Sequence, residues 1–171
     1  MFYSGRLHTM PKNELQRLAG NTSFNKPGIY IRPVYHEGNS NHSPEEVEEV
    51  TRLVKELSDA AGSIRIIAPY NAQVNALRTA LPHLEVGTVD KFQGQEAEVI
   101  IFSMATSSQA EAPRGMDFLY SLNRLNVAVS RAKIVFILVA SPALFEPDCR
   151  SPQQMKLANA LCRLLEYSEF K

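Results

Sequence analysis

Tryptophan is absent from this 171-residue chain, and cysteine occurs twice, at Cys149 and Cys162. Two thiols without a CxxC pair argue against a disulfide scaffold. They read as buried free thiols in a reducing, cytoplasmic setting. Charge of one sign is lacking too, because eighteen Lys and Arg balance eighteen Asp and Glu. The chain therefore shows no global basic signature of a nucleic-acid binder, although a local basic groove is compatible with the balance. Long apolar runs are missing: the longest, Ile134 to Ala140, has seven residues, where a membrane helix needs about 20. The first ten residues lack the apolar stretch of a signal peptide. No GxxxxGK[ST] phosphate loop occurs, so any contact with ATP is not that of a complete P-loop enzyme. His8, His36, His42 and His83 show no metal-ligand spacing, which predicts no metal site and solvated or capping roles for them.

What is present is an ordinary globular composition, 44% apolar and 21% charged, of a length that suits one domain. Charge is unevenly placed. Residues 1–43 carry five basic against two acidic side chains, residues 44–59 two against six, and residues 114–133 four against one.

Residues 1–27 read as an irregular segment packing on the domain, with a short helix over Lys12–Leu18, and 28–171 read as the domain itself. Gly28–Val34 reads as a strand. Ser43 is the expected N-cap of the next helix, with Pro44 at its first position and Glu46 completing an S-x-x-E capping box. Val47, Val50, Val54, Leu57 and Ala61 supply its apolar stripe. Ile64–Ala68, Val86–Val89, Glu98–Met104 and Lys133–Ala140 read as strands. Asn71–Leu81, Ser121–Arg131 and residues 153–167 read as helices, the last with Met155, Leu161 and Leu164 on its apolar side. Alternation of strand and helix implies βαβ crossovers, hence an α/β fold with a mostly parallel sheet and helices on both faces. Ligands of such sheets sit outside the carboxyl ends of the strands.

Two polar clusters follow from this pattern. GTVDKFQGQE, Gly87 to Glu96, contains Gly94, which permits close backbone approach. It also contains Glu96, suited to a sugar hydroxyl, and Thr88 and Asp90, suited to a polynucleotide. The plainer alternative is a polar hairpin with capping Thr88 and Asp90. The second cluster, SLNRLNVAVSRAK, Ser121 to Lys133, places Arg124 and Arg131 seven residues apart on one helix, about 10 Å along its axis. Planar, permanently charged guanidiniums suit phosphate oxygens, or else make ion pairs and cover apolar surface. Arg114 and Asp117 read either as a pair or as nucleic-acid contacts.

In order and spacing these segments resemble the second RecA-like motor domain of superfamily-one helicases. GTVDKFQGQEAEVIIFS resembles motif V, LNRLNVAVSRAK motif VI, and IRIIAPYNAQVNALRTAL motif IV with its helix. FYSGRL resembles the stretch after the Q-Y-R-M segment. The branch most similar includes the nonsense-mediated-decay helicase. Residues 111–133 and 149–167 look most like bacterial proteins that fuse a RecB-like nuclease to a helicase motor.

The resemblance implies a RecA-like fold without its own P-loop, ATP with Mg2+ held mainly by a missing first domain, and single-stranded nucleic acid, DNA rather than RNA, as partner. It also implies an upstream RecA-like domain and a RecB-like nuclease domain in the same polypeptide, with the present chain an excised C-terminal portion. Arg131 would be the arginine finger on the γ-phosphate. Arg124 would support that site or link motif VI to motif V. Glu96 would meet the ribose with Gly94 beside the triphosphate, and Gln93 would couple nucleotide to strand. Thr88, Asp90, Tyr70 and Gln73 would lie toward the polynucleotide. Asn123 departs from the family's R-R-L triplet and leaves one fewer arginine for phosphate. The alternative is a module that has lost motor activity and only docks nucleic acid or protein.

Overall fold

The computed structural model describes residues 17–20 and 22–170. Most of the helix expected over Lys12–Leu18, and the FYSGRL stretch, lie outside the described residues.

Six parallel strands form one sheet in the order β3-β2-β4-β5-β1-β6. They are β1 (Gly28–Pro33), β2 (Ile64–Ile67), β3 (Glu85–Gly87), β4 (Ala97–Ser103), β5 (Ala132–Ala140) and β6 (Ser168–Phe170). The helices are α1 (Pro44–Leu57), α2 (Asn71–Ala80), α3 (Gly115–Leu119), α4 (Leu122–Ser130) and α5 (Pro152–Glu166). Strand side chains alternate between two cores. Ile31, Ile100, Phe102, Phe136 and Leu138 pack with Leu125, Ala128, Leu161 and Leu164 on the face covered by α3, α4 and α5. Tyr30, Val99, Ile101, Val135 and Ile137 pack with Val50, Leu53, Val74 and Leu77 under α1 and α2. The expected α/β class, a parallel sheet with helices on both faces, is what forms, because apolar residues on both sides of a strand need a helix layer on each. Among the described residues no helix is long and apolar enough to cross a membrane.

Several local readings change. The α1 stripe is rotated: Glu46, Val50, Leu53 and Leu57 are buried, whereas Val47 and Val54 are only partly covered. Ser43 does cap α1, its hydroxyl accepting from the Glu46 amide at 3.1 Å. The Glu46 carboxylate, however, does not close the capping box. The Ser43 amide donates to Gln73 Oε1 at 2.9 Å instead, and Glu46 turns into the protein. Val89–Phe92 form a 3-10 turn, where the end of a strand and a loop are expected. Residues 105–116 are partly ordered as a 3-10 turn at Gln109–Glu111 and the start of α3. Met155 is exposed, and a short strand, β6, follows the last helix where no element was expected. Both cysteines are free and half-buried; Cys162 Sγ donates to the Phe145 carbonyl at 3.4 Å, and burial pushes its thiol up.

The described part of the N-terminal segment packs on the α1 face. Phe24 meets Tyr30 edge-on at 5.0 Å, Leu18 enters the same core, and the Ser23 amide donates to Glu56 at 2.9 Å.

Candidate functional site

Polar groups gather at both ends of the sheet. Strands β2 and β3 deliver their carboxyl ends to Pro69–Tyr70 and Thr88. A cavity of about 440 Å³ opens there, bounded also by Asn41, Asn71, Asp90, Arg114, Phe118 and Arg124. Tyr70 is buried, its ring 5.4 Å from that of Phe118. Its hydroxyl lies beside the Thr106 hydroxyl without a hydrogen bond of good geometry, and burial pushes the phenol above its usual range. Thr88 begins the 3-10 turn, which holds Asp90 at the rim; the Lys91 amide donates to the Thr88 carbonyl at 3.1 Å. The Arg124 guanidinium stacks on Phe118 at 4.0 Å and Arg114 on the same ring at 3.9 Å. A smaller adjoining cleft of about 310 Å³ joins Arg124 to Asn123, Asp90 and Gln93.

The second group lies at the amino ends of β4 and β5. Ala97 and Ala132 are partners in register, and the Ala97 amide donates to the Arg131 carbonyl at 3.0 Å. Glu96 and Arg131, each preceding its strand, are therefore neighbours. Arg131 ends α4 as its C-cap rather than as a helical residue. Its Nε is buried with no hydrogen-bond partner, and it forms no ion pair among the described residues. Glu96 and Lys133 approach to 4.0 Å, both half-exposed. Gly94 has φ +82° with open space where a Cβ would stand, so the left-handed turn demands glycine and the backbone stays approachable.

This arrangement corrects the expectation that the polar motifs sit at the carboxyl ends alone. α4 feeds the amino end of β5, so it runs against the strands. It carries Arg124 near the carboxyl-end cavity and delivers Arg131 to the opposite end. Arg124 lines these two openings together with Thr88, Asp90 and Gln93, and lies apart from Arg131. Gln93, expected on the nucleotide side, lines the cleft beside Arg124. Gln73 is a second correction. It is fully buried, donating to Ser103 Oγ at 2.9 Å while accepting from the Ser43 amide. Its amide ties α1 to β4 and has no surface left for a polynucleotide. The third concerns Arg114 and Asp117, which do not pair: Asp117 accepts from Gln153 at 2.9 Å.

Sequence reasoning missed a buried polar network behind the cavity. Glu46 accepts from Ser103 Oγ at 2.6 Å, from the Ala105 amide at 2.9 Å and from His36 Nε2 at 3.1 Å. His36 Nδ1 meets Ser107 Oγ at 2.7 Å. His36 is thus neither solvated nor capping, its side chain being wholly covered. Ala105 holds φ 67°, a conformation rare for a residue with a Cβ. The bond from its amide to Glu46 fixes it there. The available signal was Glu46 itself, spaced four, seven and eleven residues ahead of Val50, Leu53 and Leu57 on the buried stripe. Among the described residues no three His, Cys, Asp or Glu side chains gather as a metal site.

Comparison with known proteins places these observations in a family. The model of a family described as AAA domain matches residues 1–143. An uncharacterized ATP-dependent helicase of Methanocaldococcus jannaschii is 36% identical over 129 residues, 73% of this chain and 19% of its own length. The DNA-binding protein SMUBP-2 of Rattus norvegicus is 41% identical over 104 residues, 57% of this chain and 10% of its own. A probable RNA helicase, armi, of Drosophila melanogaster is 37% identical over 118 residues, 62% and 10% of the two chains. The chain thus spans less than a fifth of the length of these relatives. Among solved structures, the C-terminal domain of a possible DNA helicase from Lactobacillus plantarum aligns over 80% of this chain and 83% of its own, with TM-score 0.46 and 19% identity.

Proposed function

The chain belongs to the AAA-domain family, and from that premise we propose that it is the second, RecA-like motor domain of an ATP-dependent nucleic-acid helicase or translocase. In that role it supplies an arginine finger, Arg131, and part of a single-strand groove. The observation that carries the reading is the state of Arg131: a guanidinium at the sheet's amino end whose buried Nε has no partner and which no carboxylate of the described residues neutralises. An orphaned buried donor costs stability unless something outside the chain satisfies it. A γ-phosphate presented by a facing domain suits it.

ATP with Mg2+, held mainly by that facing domain, supplies the phosphoryl group whose charge must be neutralised during transfer to water. Arg131 donates to that charge. Glu96 accepts from the ribose, and Gly94 leaves the backbone open beside the phosphates. Because the finger stands on a separate domain, hydrolysis depends on closure, and closure is what moves a strand. The strand is held through its phosphates by the carboxyl-end cavity, with Thr88, Asp90 and Tyr70 at its wall. In this proposal the strand is DNA rather than RNA. The facing domain lies upstream in the same polypeptide, and a RecB-like nuclease domain is joined to them. What supports the last point is the resemblance of residues 111–133 and 149–167.

The strand-grip part is tested by titrating the chain into a labelled single-stranded oligonucleotide at several salt concentrations. Weak binding is expected. With two or three phosphate contacts it falls about tenfold between roughly 50 and 200 mM salt. Tight binding indifferent to salt contradicts a phosphate grip.

A further inference from the structure

We propose that Arg114 and Arg124, held together by Phe118 at the mouth of the carboxyl-end cavity, form a binding site for a backbone phosphate of a single strand. The inference rests on the motor-domain reading and adds to it a specific anion site, one that gives Arg124 a partner other than the nucleotide.

The first argument is the charge left over. Arg32, Arg52, Arg65 and Arg150 each have a carboxylate within ion-pair distance. Arg114 and Arg124 have none among the described residues. Both instead stand on one aromatic ring, 3.9 and 4.0 Å from its centroid. Their guanidinium carbons are therefore at most about 8 Å apart. Stacking orients a guanidinium and leaves its N–H edge free to donate. Two such edges fixed around a common point, with no carboxylate of the described residues in ion-pair range, are arranged for an anion that arrives from outside. The acidic neighbour in sequence, Asp117, is engaged by Gln153. Asp90 is the carboxylate on the cavity wall, and it leaves the two arginines in excess by one charge.

The second argument is independent of the arginines. The cavity also receives the first turn of α2 through Asn71 and Ala72. That helix start has no side-chain cap, since Tyr70 occupies the cap position and makes no cap bond. Tyr70 itself is 7% exposed, lines the cavity and carries a buried hydroxyl without a hydrogen bond of good geometry. A helix start without a side-chain cap, the Tyr70 hydroxyl and two guanidiniums thus line one space, with Asp90 the carboxylate among them. Each of the first three can donate to a phosphodiester.

Position selects the strand over the nucleotide as the source of that phosphate. Arg131 and Glu96 lie at the other end of the sheet, across the length of α4. Arg124 near the start of α4 and Arg131 as its C-cap put a strand phosphate and a nucleotide phosphate at the two ends of one nine-residue helix. A rigid helix between the two sites gives strand binding a direct lever on the finger.

The test measures binding of a fluorescent oligothymidylate to the unaltered chain and to Arg114→Ala, Arg124→Ala, their double variant, Phe118→Leu and Arg52→Ala, across a salt series, with thermal melting as the fold check. Each single arginine variant is expected to weaken binding roughly tenfold and to lower the salt slope by about one. Phe118→Leu is expected to weaken binding without changing the charge. Arg52→Ala, which removes the same charge on α1, is expected to leave binding unchanged. Excess ATP is expected not to displace the strand. Salt-dependent binding that survives the double variant overturns the arginine site and leaves the motor-domain reading standing. Displacement of the strand by equimolar ATP, lost in the double variant, assigns the pair to the nucleotide and also overturns it. Absence of any binding by the unaltered chain overturns the strand groove and the arginine site together.

Discussion

Arg131→Ala in the full-length protein is expected to lower ATP turnover roughly 10³–10⁵-fold, the range for loss of an arginine finger, while nucleotide affinity stays within a few-fold. The separation follows from where the residue stands. In the proposed motor most nucleotide contacts belong to a facing domain, so removing Arg131 costs little in the bound ground state. The charge it neutralises develops during phosphoryl transfer, where its loss is felt in full. Inside the chain its removal is inexpensive, because the side chain forms no ion pair among the described residues and its Nε has no partner to abandon. Arg131→Lys is expected to be nearly as damaging, since a point charge does not reproduce a planar fork. Single-turnover kinetics with a separate nucleotide-binding titration check both halves. Equal rates in variant and parent remove the finger.

Glu46→Ala is expected to be the most destabilising substitution of an acidic residue in the chain. It leaves Ser103 Oγ, the Ala105 amide and His36 Nε2 without an acceptor, all in the fully buried zone behind the cavity. A buried donor left unmet costs about 1–3 kcal/mol, and partial relaxation brings three of them to roughly 3–5 kcal/mol. For a domain of this size that corresponds to a melting temperature lower by about 10 °C. The effect extends to the site. Ala105 holds its left-handed conformation against steric cost, and the segment it starts leads to Arg114 and Phe118. Glu48→Ala, on the exposed side of the same helix, is expected to change stability by less than about 0.5 kcal/mol. Thermal or urea unfolding of the two variants decides the matter, and a Glu46→Ala protein as stable as Glu48→Ala contradicts the network's role.

The parallel sheet was legible because its strands carry apolar residues on both faces, β5 most plainly, and because Pro44 and Ser43 mark the start of α1. Arg124 and Arg131 were legible as candidates for phosphate or for ion pairing. Their division between opposite ends of the sheet was not. Seven-residue spacing states that they share a helix, but only the direction of that helix against β4 and β5 decides which end each reaches. Gln73 and Glu46 misled for a common reason. A polar residue that bonds inward has the same letter as one that faces water, and its partners, Ser43, Ser103 and Ala105, are 30 to 59 residues away in sequence. Phe118 escaped notice because an aromatic in a short helix reads as core. Its use as a platform for Arg114 and Arg124 depends on a turn that composition does not specify.

The half-site at the centre of this reading is tested most directly by ATP turnover of the isolated 171-residue chain beside the same chain joined to the proposed upstream domain, each with and without single strand. The expected result is no hydrolysis by the chain alone at saturating ATP and Mg2+, and strand-stimulated hydrolysis by the joined protein. Steady turnover by the chain alone, unaffected by Arg131→Ala, would contradict it.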